Sequence, residues 1–517
     1  VEPACAPLRL LAALVLAWPA AAACADAQAD PGVAAAAAPD GVVLSLGASV
    51  AATDNATAAA PGGARSDLLG TARPRVEVRH EAARLKLLVD ASLRLLGSAT
   101  GRGPATARPD IDASAKAILV DDLVFLDASA QAIPTQVDPF GPRPDPTSDT
   151  NARTERRFHV QPSLRARLAP HVDVELVRDD SLTRNGAGTT LDSSAHATRL
   201  HLAREPLPFG AALEVSRFDG ATRDANADRL VLETARLRLD WRPGLELQLD
   251  AEGGGDRTAT SLGRTSGALY GIGLDWRPTA RTILSAALEH RFFGNGGELH
   301  LRHRNPSTSV ELSLGRLPAL VSQALDSTHA ASLQAGLDAI LTTRHPDQAA
   351  RRALVDKAIA VQGLANPDTL PIDIAAPYPQ MLTRFAASWT WSAPRTTVSA
   401  EFHSQTARAM RDSGNPLTTR GAFGADSRQA GASVQIARRL DPRMSVTLLL
   451  ERARITGLAD QARQRSDQRS GRLWLTRTLD ARSCANVGVQ HEQFATTATG
   501  QHGFRATVVF MGLTQGF

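Results

Sequence analysis

Cysteine, tyrosine and long apolar runs are what this chain has little of. Of 517 residues three are cysteines, and two of those, Cys5 and Cys24, sit near the amino terminus, which leaves Cys484 alone in the body of the chain. A lone thiol excludes an intramolecular disulfide framework and a paired-cysteine metal or redox site. Two tyrosines and an aromatic content of 4% exclude a passage lined by a continuous track of stacking rings. No segment past the amino terminus holds about 18 consecutive apolar residues, which excludes a transmembrane helix. Basic and acidic residues number 57 and 53, a net charge of +4, so neither sign dominates. The basic residues are dispersed rather than gathered with aromatics, which leaves no case for a nucleic-acid partner. A nucleophile elbow, a phosphate loop and a zinc helix are missing as well, so the sequence offers no catalytic, metal-binding or cofactor-binding residues.

What the chain has is alternation. Leu237 to Trp241, Arg242-Pro243-Gly244 and Leu245 to Ala251 form an apolar/polar run, a proline turn and a second run. Tyr270 to Trp276 with Arg277-Pro278-Thr279 and Thr282 to Leu288 repeats the pattern, as does Phe385 to Trp391 with Ser392-Ala393-Pro394 and Thr396 to Phe402. A period of two belongs to strands, and a tight proline turn between two such runs predicts a hairpin. Trp241, Trp276 and Trp391 stand at the same end of their hairpins, as a tryptophan girdle at a membrane–water boundary requires.

Along the whole chain, short turns near 81–83, 120–122, 168–170, 204–209, 242–244, 277–279, 304–307, 392–394, 439–442 and 479–481 alternate with connections that are mostly longer. Short turns on one side and long loops on the other predict a single antiparallel transmembrane β-barrel of about 20–22 strands. The faces agree. Lys86, Asp90 and Arg94 share one face of their strand; Arg236, Arg238, Asp240, then Glu246 and Asp250 share one face of the next hairpin; His300, Arg302 and Glu311 do the same farther on. The opposite faces are leucine, valine and alanine. Charges this dense cannot fill a dry core, and they suit a water-filled lumen. The final run places Val509, Met511, Leu513 and Phe517 on one face, and a last strand closing on Phe517 is similar to the signal read by the barrel assembly machinery.

The amino terminus predicts export. Arg9, the apolar stretch Leu10 to Ala23 and Ala23-Cys24-Ala25 make 1–25 a secretory signal, with acylation of Cys24 as the alternative, and 26–517 the barrel. Inside the barrel one segment, 316–379, departs from the hairpin grammar. Pro346 to Val361 predicts a helix, with Pro346 at its first turn, Gly363 past its end and Ala350, Leu354, Ala358 and Val361 as its stripe. Leu333 to Leu341 is a second helical candidate. So long a connection is expected to be functional, folding over or into the barrel mouth as a plug or constriction, or else to be an external loop. His290, His300 and His303 cluster with arginines, but His300 and His303 fall on opposite strand faces and serve as lumen or rim cations rather than metal ligands. Asp54-Asn55 is expected to form a turn.

These residues resemble the outer-membrane proteins associated with PEP-CTERM/exosortase systems of Gram-negative bacteria. Thr53-Asp54-Asn55, the run Asp121 to Ala130, and above all Trp276-Arg277-Pro278-Thr279-Ala280-Arg281-Thr282 with His290-Arg291-Phe292-Phe293-Gly294 and His303-Arg304 carry the likeness. The family's Tyr-Ser-Arg-type segment is replaced here by Leu314-Gly315-Arg316. The resemblance implies a location in the cell outer membrane and a porin or export conduit beside exopolysaccharide synthesis. The expected partners are outer-membrane lipid, the assembly machinery and a polysaccharide or other polar solute, with no cofactor. A scaffolding barrel with a blocked lumen is the first alternative, and an outer-membrane hydrolase the second.

Overall fold

A sheet made only of strands with one apolar and one polar face must keep the polar face wet and leave no edge open. Closure meets both demands. The computed structural model describes residues 41–517 apart from 102–104, 137, 139, 144–150, 186–191, 223–228, 261–262, 293, 320–332, 348–350, 353, 356–357, 360–363, 365–379, 410–425, 459–461, 481 and 499. The expected signal peptide lies outside the described residues. The strands are β1 (Gly41–Thr53), β2 (Asp67–Glu81), β3 (Leu85–Ser98), β4 (Thr106–Val120), β5 (Val124–Gln136), β6 (Ala152–Ala169), β7 (Val172–Asn185), β8 (Ser193–Arg204), β9 (Phe209–Thr222), β10 (Arg229–Trp241), β11 (Leu247–Thr260), β12 (Gly263–Thr279), β13 (Thr282–Arg291), β14 (Gly294–Arg304), β15 (Thr308–Ala319), β16 (Gln380–Ser392), β17 (Thr396–Ala409), β18 (Ser427–Asp441), β19 (Met444–Gly457), β20 (Arg465–Thr478), β21 (Ser483–Thr496) and β22 (Phe504–Gly516). Each pairs antiparallel with its neighbours in sequence, giving one 22-stranded sheet. The seam runs from Ser45 opposite Gly516 to Thr53 opposite Val508. The Phe517 N–H donates to the Leu44 carbonyl at 2.8 Å and ties down the last residue.

Connections sort by length, as expected, onto two rims. On one rim Val172 follows Ala169 after two residues and Met444 follows Asp441 likewise. At that rim Asp480 accepts from the Arg482 N–H at 2.7 Å and from Ser483 Oγ at 2.5 Å, which holds its carboxyl below the usual range. The other rim carries the longer loops, among them 54–66, 137–151, 320–379 and 410–426.

Two expected loops of the long rim are strand. The glycine-rich stretches near 255–265 and 293–296 lie mostly inside β11, β12 and β14, whose connections are two residues each. Glycine serves there for close approach rather than for a loop: a Cβ at Gly254 would overlap the Ala235 carbonyl. In the other direction, the turn after Trp241 is longer than expected. Leu245, 97% exposed, and Glu246 belong to the connection before β11, because Pro243 and Gly244 open it into a five-residue bend.

Burial is inverted relative to a water-soluble sheet. Leu239, Ile272 and Leu288 are 57%, 63% and 66% exposed, while Thr397, Gln435 and Thr447 are each 1% exposed. Hydrocarbon outside and polar groups inside explain both. All strands but β13 and β14, at 10 and 11 residues, are longer than the roughly 9–11 that cross a bilayer, up to 18 in β6. The excess shows on the outer face at the long-loop end. There Val446, Leu448 and Leu450 of β19 give way to Arg452 and Arg454, and Leu213 and Val215 of β9 give way to Arg217 and Asp219.

Candidate functional site in the barrel lumen

Register carries the inward face from strand to strand. Arg302 lies opposite Glu311, then Ser388, Glu401, Ser433, Glu451, Ser470 and Glu492 follow at one level across β14 to β21. By the same alternation Lys86, Asp90 and Arg94 of β3, Arg236, Arg238 and Asp240 of β10, Asp250 of β11, His300 and Arg302 of β14 and Glu311 of β15 all lie on the inner face. Glu246 does not, since it stands in the turn.

From β2 to β15 this wall is a lattice of ion pairs. Arg75 meets Asp90 at 2.5 Å, Arg73 meets Asp110 at 2.9 Å, and Arg165 meets Glu175 at 2.7 Å. Arg236 bridges Glu214 at 3.0 Å and Glu252 at 3.3 Å. Arg291 holds the buried Asp256 at 2.8 Å, and His300 and Arg302 share Glu311 at 2.8 and 3.0 Å. Many of these side chains keep one face in water: Arg73 and Asp110 are 51% and 46% exposed. Long cationic and anionic side chains paired across neighbouring strands make a hydrated, ion-rich surface with little net charge.

From β16 to β19 the wall changes chemistry. Its inward residues include Ser388, Thr390, Thr397, Ser399, Gln435 and Thr447, hydroxyls and amides that are 8% exposed or less. The segment between β15 and β16 supplies part of the cover. Helix α1 (Leu333–Leu341) lies against this wall: a Cβ on its Gly336 would overlap Thr390 Oγ1, so the backbone itself touches the strand. The Leu333 N–H at its start donates to the Glu401 carboxyl group. Its far end reaches the short-turn rim, where the Arg304 guanidinium donates to the Ala339 carbonyl at 3.4 Å, Thr343 Oγ1 at 3.2 Å and the Ala280 carbonyl of the β12–β13 turn at 3.2 Å. Helix α1 therefore lies on the inner wall toward the short-turn rim, although β15 and β16 are joined at the long-loop rim. Positions 351, 352, 354, 355, 358 and 359 are helical, in agreement with the expected helix. Leu333, Leu337, Val355 and Leu364 pack with Ala437 of β18 into a small apolar core within a polar tunnel. Buried Arg351 locks the two helical pieces, donating to Asp338 at 2.7 Å and to the His345 carbonyl at 2.9 Å.

A second segment folds inward at the long-loop rim. Phe140, between β5 and β6, packs on Ile455 of β19 and on Ala498, and the Arg143 N–H donates to the Gln468 side chain of β20 at 2.9 Å. In the first loop Asn55 Oδ1 accepts from the Ala59 N–H at 2.9 Å, a turn-forming bond, while Asp54 Oδ1 accepts from the Thr507 N–H of β22 at 2.7 Å and ties the loop to the last strand. Trp241, Trp276 and Trp391 stand on the outer face near the short-turn rim, joined there by Trp389. Phe517 is 63% exposed at the same rim. His303 faces outward and His300 inward, so the histidines of this hairpin do not converge.

Charges on alternate residues revealed the first half of the wall. The second half had a quieter signal, serine, threonine and glutamine at most alternate positions of 388–405 and 427–447, which the search for charge passed over. Glu401 and Gly336, the contacts that seat α1, carried no sequence signal at all.

A closed antiparallel sheet with an apolar exterior, an ion-paired lumen and rims sorted by loop length defines a transmembrane β-barrel of the outer-membrane type. No protein-family model matches the chain, and no curated protein does. Among solved structures it is similar to the FrpB iron transporter from Neisseria meningitidis (F5-1 variant), at 9% identity and a TM-score of 0.49 over 92% of this chain and 82% of that one. It is also similar to OpdK from Pseudomonas aeruginosa with vanillate, at 11% identity and a TM-score of 0.33 over 92% of this chain and 99% of that one.

Proposed function

We propose that this protein is a porin-like conduit of a Gram-negative outer membrane, with its short-turn rim toward the periplasm and its passage narrowed by the 320–379 segment. The observation that carries the reading is the contrast within the lumen. One arc of wall is ion-paired and open to water, while the other is buried, carries mostly hydroxyl and amide groups beside Glu401 and Glu451, and is touched by α1. Barrels of 22 strands are wide enough to leak unless something occupies them, which gives the segment a physical reason to lie inside. Polar or charged small solutes are the cargo that the open arc suits.

The test is planar-bilayer conductance of the full chain and of a chain in which 320–379 is replaced by a short glycine–serine linker. Small, stable channels that widen several-fold on deletion are expected, as the passage volume freed is large compared with a hydrated ion. Silence from both proteins, when both insert, would favour the scaffold with a blocked lumen. The exosortase-associated role is a narrower proposal, supported by the sequence resemblance alone, above all at Trp276–Thr282; an acidic exopolysaccharide that fails to block or cross the widened channel would count against it.

A further inference from the structure

The outer surface above the apolar band differs around the barrel. On β7 to β10 it is balanced: Arg178 pairs with Asp180 at 2.9 Å, Arg217 with Glu233 at 3.1 Å, and Arg229 with Asp219 at 2.5 Å. On β19 and β20 it is not. Arg452, Arg454, Arg469 and Arg465 converge on the single carboxylate of Asp467 at 2.7, 2.9, 3.1 and 3.8 Å. Arg428 of β18 and Arg505 of β22 flank the group on the same face. Among the described outward-facing residues on the long-loop half of β17 to β22, Asp467 is the only acid.

Four guanidiniums around one carboxylate repel one another unless a further anion joins them. All four remain accessible to one, at 46%, 39%, 58% and 51% exposure. A groove lined by Arg465, Asp467, Arg469, Gln493 and Thr497 opens beside them. Height selects the anion. The cluster begins one step above Leu450 and Leu473, the end of the hydrocarbon-facing band, and so stands at the level of lipid headgroups. Guanidinium forks match phosphate oxygens in pairs, and a basic cluster at a membrane surface is drawn to anionic lipid.

We infer that Arg452, Arg454, Arg465 and Arg469 form a binding site for the phosphate groups of an anionic glycolipid in the outward-facing leaflet. The inference rests on the outer-membrane orientation proposed above. The site holds one lipid against β19 to β21 with its acyl chains on Val446, Leu448, Leu450, Leu473 and Leu475.

Native mass spectrometry of the detergent-solubilised full chain, titrated with bis-phosphorylated lipid A and with the same lipid stripped of phosphate, tests it. The expected result is tight retention of the phosphorylated lipid only. Affinity should fall on the order of 100-fold in the R452Q/R454Q/R469Q variant. It should rise in Asp467→Asn, where the competing carboxylate is gone, so the site is tested in both directions even if one variant folds poorly. The control R178Q/R217Q/R229Q, on the balanced arc, should bind as the unaltered chain does. Equal retention of the stripped lipid, equal losses in the two triple variants, or displacement of the lipid by millimolar inorganic phosphate would each overturn the site. Failure of the unaltered chain to enter bilayers at all would instead overturn the outer-membrane reading on which it stands.

Discussion

On the conduit reading proposed above, the two arcs of the inner wall let one barrel serve as both channel and frame. Across β2 to β15 the inward residues are paired ions that keep contact with water, and this wall needs no covering layer. Across β16 to β19 hydroxyls and amides predominate among the inward residues, with Glu401 and Glu451 between them, and this wall is largely buried. A charged wall could not have been covered cheaply, because each ion taken from water costs several kcal/mol even when paired. Serine, threonine and glutamine ask much less, since a modest hydrogen bond compensates them. Paired ions thus dominate the open arc, and hydroxyls and amides predominate where α1 rests, with the Glu401 carboxyl group at its N-terminus as the exception. The apolar core of Leu333, Leu337 and Val355 sits on Ala437, an inward alanine of that arc that is 0% exposed.

The sharpest way to break the comparison is to damage the open arc's framework. Gly254→Val should be the most severe substitution: its Cβ meets the Ala235 backbone, which cannot move aside without parting β10 from β11. Overpacking of this kind costs about 3 kcal/mol. The measurable outcome is loss of the compact, heat-modifiable band on an unboiled gel. Gly336→Leu attacks the covered arc instead. The barrel should fold normally, but α1 can no longer lie on Thr390, and conductance should rise toward that of the chain lacking 320–379. A Gly336→Leu channel no wider than the original would mean that α1 does not narrow the passage.

Next in size is the lock between the helical pieces. Arg351→Ala removes a buried guanidinium that holds Asp338 and two carbonyls, and should loosen the segment by about 1–3 kcal/mol. Limited proteolysis should then cut within 320–379 while β15 and β16 stay intact. Equal resistance in the variant would show that Leu337 and Val355 hold the segment without the lock.

Much of this was legible in the sequence, and for a physical reason. A barrel strand faces two different solvents, so period-two alternation is enforced along its whole length. Lys86, Asp90, Arg94 or Arg236 and Arg238 can then be assigned a face with no structure at hand. Loop length likewise reports the rim. Glycine was harder, because Gly254 in a strand and Gly294 at a turn look alike in a one-dimensional reading, though only the latter has a positive φ, 93°. The docking of α1 was not legible, since it depends on contacts between residues far apart in sequence, Leu333 with Glu401 and Ala437 with Val355. The crowd of arginines around Asp467 was hidden for the same reason: Arg452 and Arg469 meet only because β19 and β20 pair in this register.

The smallest effect separates the arcs by charge alone. Arg236 is one-third exposed and stands between Glu214 and Glu252. Arg236→Gln leaves both carboxylates facing the passage without their shared cation, so the channel should shift toward cations, read as a change in reversal potential under a KCl gradient. The shift should grow at low salt, since the screening length lengthens from about 8 Å at 0.15 M to about 30 Å at 0.01 M. Gln435→Ala, on the covered arc, removes a side chain that is 1% exposed and uncharged, and should leave the reversal potential where it was at every salt concentration. If both substitutions moved it equally, the passage would run along both arcs, and the division of the wall into an open and a covered half would fail.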